Sequence, residues 1–183
     1  KVLLISDPAL QRGAASMTVG TGSIHDQENF QGLAHFLEHM LFLGTKKYPD
    51  AGSYQKFISI HDGFSNAFTA EERTNYHFEI APDHLHEALD RFSEFFISPL
   101  FNPELVQREI KAVDSEHSKN LSNDFRRIFQ VKRKAYNPGH PAKHFATGNI
   151  QTLSKVTREV LMDFYQNHYS SNRMTLAVAG PQD

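Results

Sequence analysis

A chain of 183 residues with 39% hydrophobic and 22% charged side chains fits one globular domain, large enough to bury a core without covalent staples. Its 19 Lys and Arg against 21 Asp and Glu leave a formal charge of -2. No long-range field marks it for nucleic acid or an anionic membrane, and no apolar run approaches the roughly 18 residues of a membrane span, so a soluble protein is expected. The absence of cysteine excludes disulfides and thiolate metal sites, leaves histidine and carboxylate as the strong ligands for a transition metal, and does not fix the compartment.

The chain begins at Lys1 without an initiator methionine, and Val2-Leu3-Leu4-Ile5 lacks the length and cleavage site of a signal peptide. This run reads as a first strand, Val2 to Ser6, and both ends of the chain read as truncated. Ala14 to Gly20 is a second strand, reached through the turn-rich Asp7-Pro8 to Gly13, and a polar loop from Thr21 to Gln31 follows. From Gly32 to Gly44 the pattern is helical, with Leu33, Phe36, Leu37, Met40, Leu41 and Leu43 covering most of the circumference, so the helix should be buried. A helix over Ser53 to Ile60 precedes two strands, Phe64 to Thr69 and Thr74 to Ala81, joined by a hairpin-length connection.

Pro82-Asp83 opens a helix that Pro99 ends, with Leu85, Leu89, Phe92, Phe95 and Phe96 at the helical period. Pro103 starts a longer one that turns Val106, Ile110 and Val113 inward and extends past Glu116. Asp124 to Ala135 is helical, Asn137 to Asn149 is loop, Thr157 caps a helix to His168, and Met174 to Ala179 closes as a strand. This mixed order with a clear hairpin predicts an α+β fold, a mainly antiparallel sheet covered by helices, in a single domain over 1–183. The basic run Arg126, Arg127, Lys132, Arg133 and Lys134 reads as a solvated helix face.

The chemistry concentrates in His35-Phe36-Leu37-Glu38-His39. Residues four apart share a helix face, so His35 and His39 can aim ring nitrogens at one point, with Glu38 beside it. Burying two imidazoles and a carboxylate in an apolar helix is unfavourable unless they are paired or bind a cation. Zinc suits such ligands, and the carboxylate that does not ligate can serve as general base toward a water the ion activates. A third ligand is needed, and Glu71, Glu72, Glu79, Glu109, Glu116 and the remaining histidines are all candidates. Glu109 and Glu116, two helical turns apart, lie on one stripe of the helix after Pro103 and could supply a ligand and a carboxylate that orients a ligating histidine.

Several blocks in order resemble the insulinase (pitrilysin) family of zinc metallopeptidases, most closely its insulysin-like branch. They are His35 through Pro49, Ser65-Asn66-Ala67-Phe68-Thr69, Ala88 through Phe92, Arg108-Glu109 and Asp114 through His117. The resemblance covers nearly the whole chain. It implies His35, His39 and Glu116 as ligands of one Zn2+, Glu109 as the supporting acid and Glu38 as catalytic base. It further implies that Asn66, Ala67 and Phe68 lie on a strand that pairs with the substrate backbone, while Phe42 lines the pocket beside the scissile bond.

The family's enzymes enclose peptides and small unfolded proteins between two homologous halves. This chain is therefore expected to be the N-terminal catalytic domain, partnered by the remaining domains and by peptide substrates. An arginine and a tyrosine from the second half normally assist catalysis, so residues 1–183 alone are expected to bind zinc and cleave poorly. The competing readings are a non-catalytic homologous subunit, which would typically lose zinc-site residues that are all present here, and a specialised processing peptidase, against which the insulysin-like match argues.

Overall fold

The computed structural model describes residues 1–182. Five strands, β1 (Val2–Ser6), β2 (Gly13–Val19), β3 (Phe64–Thr69), β4 (Thr74–Ile80) and β5 (Met174–Gly180), form one sheet in the order β1-β5-β2-β4-β3. The β2–β4, β2–β5 and β3–β4 pairs are antiparallel, whereas β1 runs parallel to β5 with Leu4 opposite Val178. The mainly antiparallel sheet expected from the sequence is thus present. The parallel pair joins the two ends of the chain and has no local signature.

Alternation along β4 buries Tyr76, Phe78 and Ile80 while Glu79 is exposed, and the register of β2 sets Ala15 opposite Phe78 on the same face. The helices are α1 (Leu33–Leu41), α2 (Ser53–Ile60), α3 (Leu85–Ser93), α4 (Pro103–Asn120), α5 (Asp124–Lys134), the single turn α6 (Ile150–Leu153) and α7 (Arg158–His168); α1, α2 and α3 contact the sheet, and α4 packs on α1. Phe36, Leu37, Met40 and Leu41 of α1 and Leu161 and Phe164 of α7 are at most 1% exposed, so burial rather than helix propensity holds these two in place. Among the described residues, no helix is long and apolar enough to cross a membrane.

The differences from the sequence reading have local causes. The helix expected over Gly32 to Gly44 is shorter, because Gly32 at φ 91° and Gly44 at φ 111° lie outside the helical region. The stretch after Pro82 breaks into a 3-10 turn, α3, and a second 3-10 turn over Glu94–Phe96. The loop before Gly32 holds two short 3-10 turns, Ser23–His25 and Glu28–Phe30. Unexpected α6 is set by Asn149, whose side chain accepts from the Gln151 and Thr152 amides.

The sheet order leaves β3 on an edge, with its pairing groups on one side unused by β4. Beside it, α1 is clasped between the sheet and α4.

Candidate metal centre

α1 presents His35 and His39 one turn apart, with ring centroids 4.7 Å apart and planes at 80°. The start of the helix is fixed by Asp26, whose two carboxylate oxygens accept the Gly32 and Ala34 amides at 2.8 Å each. Those amides carry the positive end of the helix dipole. Asp26 is 4% exposed; burial pushes its carboxyl up to about 7, against the pull of the two amides and the charge of Arg133.

Gly32 does more than open the helix. A Cβ on it would stand 2.3 Å from Cα of Gly148, so only glycine allows this contact of two backbones. The contact brings the Thr147 carbonyl to 2.8 Å from His35 Nδ1. A carbonyl only accepts, so Nδ1 carries the hydrogen, and a neutral ring then presents its lone pair at Nε2.

The same logic holds for His39, from a different element. α4 is opened by Pro103, capped by the Asn102 side chain, and packed through Val106, Ile110 and Val113. Its polar stripe carries Glu109 and Glu116 toward α1. Glu109 Oε1 lies 2.8 Å from His39 Nδ1, fixing that ring so that Nε2 is turned inward. Glu116 Oε2 then lies 3.5 Å from His35 Nε2 and 3.6 Å from His39 Nε2. Tetrahedral ligands on arms of about 2.0–2.1 Å stand roughly 3.4 Å apart, so the three atoms have the spacing that one small cation requires. Among the described residues, this is the group of histidines and acids that could hold a metal ion.

The field within the cluster follows from these contacts. Burial pulls His39 down, but hydrogen bonds to Glu109 and Glu116 outweigh it and hold the ring up at about 9. Glu116 is lowered to about 2, chiefly by the His39 hydrogen bond and against burial, with the charges of His35, His39 and Arg126 adding to the shift. Glu38 is 7% exposed and moves the other way. Burial raises it, opposed by His35, by a hydrogen bond from Thr69 and by His39. That bond runs from Thr69 Oγ1 at the end of β3 to Glu38 Oε2, at 2.5 Å.

The cluster opens on a groove of about 1030 Å³ bounded by His35, Glu38, His39 and Glu116, by residues 66–73, by the end of α4, and by one face of α5. Asn66, Ala67 and Phe68 line it, and Phe68 is 45% exposed. Phe42, expected in the pocket beside the scissile bond, does not line this groove. Its ring packs against Phe95 at 5.2 Å, Tyr54 at 5.9 Å and Tyr76 at 6.1 Å, because it follows α1 where the chain turns back over the aromatic core.

Of the other third-ligand candidates, Glu79 pairs with Arg12 and Glu71 faces Arg133. His117 turns its ring to Phe145, with centroids 4.9 Å apart. Sequence reasoning did not single out Thr69, Asp26 or the Thr147 carbonyl. Thr69 had a signal as the last residue of the Ser65–Thr69 block, whereas a main-chain carbonyl has none.

The family model described as Insulinase (Peptidase family M16) matches residues 1–139, and the model of the peptidase M16 inactive domain matches 155–183. The chain belongs to the insulinase family of peptidases. The insulin-degrading enzyme of Homo sapiens is 49% identical over 187 aligned residues, covering 98% of this chain and 18% of that protein. A putative zinc protease of Schizosaccharomyces pombe is 46% identical over 187, covering 98% of this chain and 19% of that protein. A crystal structure of pitrilysin matches with a TM-score of 0.96 at 37% identity, over all of this chain and 20% of that one. The chain thus spans about a fifth of the length of these relatives.

Proposed function

We propose that this segment is the zinc-holding catalytic domain of a metalloendopeptidase that cuts peptides and small unfolded proteins, and that it acts with the further domains of a longer chain. The observation that carries the reading is the convergence of His35 Nε2, His39 Nε2 and Glu116 Oε2, with the buried carboxylate of Glu38 beside that group and outside it. Two imidazoles and one carboxylate suit zinc, as does the name of the putative zinc protease to which the chain is similar. When bound, the ion would supply Lewis-acid polarisation of a carbonyl and make water acidic enough to be deprotonated near neutral pH.

The chain's own residues supply the rest. Glu38, whose carboxyl burial raises, accepts a proton from the water that adds to the peptide carbonyl and passes it to the departing amine. Thr69 holds one Glu38 oxygen, leaving the other for that proton. The open edge of β3, with Asn66, Ala67 and Phe68 on the groove, offers main-chain groups to an extended peptide laid alongside, which favours loose sequence preference. Glu109 and Thr147 keep both imidazoles in the tautomer that ligates. No observation favours the non-catalytic subunit or the specialised processing peptidase.

The test is Glu38→Gln in the full-length protein. Zinc content should stay at one per chain while hydrolysis of a quenched fluorescent peptide falls by about three orders of magnitude or more. Retained turnover would remove Glu38 from the role of base, and loss of zinc would place it among the ligands.

A further inference from the structure

The groove has a second wall that the metal cluster does not use. Along α5, Arg126, Phe129, Gln130 and Arg133 recur at helical spacing, and all four line the groove, flanked by Arg127 and Lys132. A surface helix ordinarily turns its apolar stripe to the body of the protein and its charges to solvent. In α5 no residue is buried, and Phe125, Ile128 and Val131 on the opposite side are 69%, 63% and 72% exposed. Core packing therefore does not aim the basic face at the groove. Arg133 does, since its guanidinium donates to the carbonyls of His144 at 2.7 Å and Ala142 at 3.2 Å.

The cations of this wall are not equivalent. Arg133 also faces Glu71 at 3.9 Å, and Arg127 pairs with Asp124 at 3.0 Å. Arg126 and Lys132 have no carboxylate at ion-pair distance among the described residues. Lys132 instead lies over the rings of Phe129 and Tyr136, at 6.0 and 5.8 Å. Across the groove stand Glu71, Glu72 and Arg73, two carboxylates to one guanidinium.

We infer that α5 makes the groove selective for peptides carrying an aspartate or glutamate side chain close to the bond to be cut, with Arg126 and Lys132 as the specificity-determining cations. The inference rests on the reading of the groove as a peptide site, and names the substrate class within it. An acidic side chain directed at α5 meets two cations with no carboxylate at ion-pair distance in a concave wall, where charge attraction and charge-assisted hydrogen bonds both favour it. A basic side chain in the same place meets repulsion. Selection is therefore carried by the side chain facing α5, while main-chain pairing with β3 stays indifferent to sequence.

The experiment uses the full-length, zinc-loaded protein and quenched fluorescent peptides in which one position at a time, on either side of the scissile bond, is Gln, Glu or Lys. At one position or more, Glu should exceed Gln by about tenfold in kcat/KM, and the advantage should shrink between 0.05 and 0.5 M salt, where screening lengths shorten from about 14 to 4 Å. The double reversal Arg126→Glu with Lys132→Glu should favour Lys over Glu at that position. The milder Arg126→Gln with Lys132→Gln, on an exposed surface and folding independently of any reversal effect, should bring the Glu to Gln ratio near one. A ratio near one at every position of the wild type, or one that neither double variant moves, overturns the inference while leaving the peptidase reading intact. Failure of the wild type to cut any peptide overturns both.

Discussion

Glu109→Ala separates an acid that supports the centre from one that merely lies near it. Glu109 side-chain exposure is 13%, and its Oε1 receives the His39 Nδ1 hydrogen at 2.8 Å. Removing the carboxylate leaves that hydrogen without its acceptor and frees the ring to rotate and change tautomer. A hydrogen bond to a charged group contributes about 1.5–3 kcal/mol, which corresponds to a loss of roughly 10- to 100-fold in zinc affinity, the range usual for partners of metal-bound histidines. Alanine is a strong helix former, so α4 should persist. Glu109→Gln keeps an amide oxygen at the same place and should lose less, about threefold to tenfold. Competition for zinc against a chromogenic chelator reads both variants. Affinity in Glu109→Ala within twofold of wild type, or a larger loss in the Gln variant than in Ala, would refute the reasoning.

Three further outcomes follow from the same geometry. Thr69→Val removes the donor that lowers the Glu38 carboxyl; the acid limb of the kcat/KM profile should move to higher pH and turnover fall about tenfold with zinc retained, and an unmoved limb would show that Thr69 does not act on Glu38. His39 is held up at about 9, so below that pH zinc must displace its proton. Apparent zinc affinity should therefore rise with pH and level off above about 9, and calorimetry at pH 7.5 in buffers of different ionisation heat should find about one proton released per ion; a pH-independent affinity would contradict this. Gly32→Ala places a Cβ 2.3 Å from Gly148 at φ 91°, which should cost more than about 2 kcal/mol in unfolding and weaken zinc binding together, whereas wild-type stability would mean that the two backbones need not touch.

What the sequence made legible was what short-range chemistry controls. His35 and His39 had to share a face because they are four apart on one helix, and Glu109 and Glu116 because they are two turns apart on another. The hairpin of β3 and β4 and the Pro103 start of α4 were equally local. The pairing of α1 with α4 was not, since spacing alone left several acids open for the third position and only packing brings Glu116 to both Nε2 atoms. The Thr147 carbonyl was beyond reach, being a backbone atom whose approach depends on two distant glycines. The packing of Phe42 was not legible, because a residue just past a helix end can be carried either way and contacts with Tyr54, Tyr76 and Phe95 from three other segments decide. The basic run of α5 was read as a solvated face, and its residues are largely exposed. Arg133, tied to the Ala142 and His144 carbonyls, turns that face to the groove.

The central claim is that one zinc ion is held by His35, His39 and Glu116 and by no other side chain. Anomalous diffraction collected on either side of the zinc edge from crystals of the full-length protein tests it most directly. The account predicts one peak, about 2.0–2.2 Å from His35 Nε2, His39 Nε2 and a Glu116 carboxylate oxygen, with Glu38 outside bonding distance. A peak coordinated by Glu38 in place of Glu116, or no peak between the two imidazoles under saturating zinc, would contradict it.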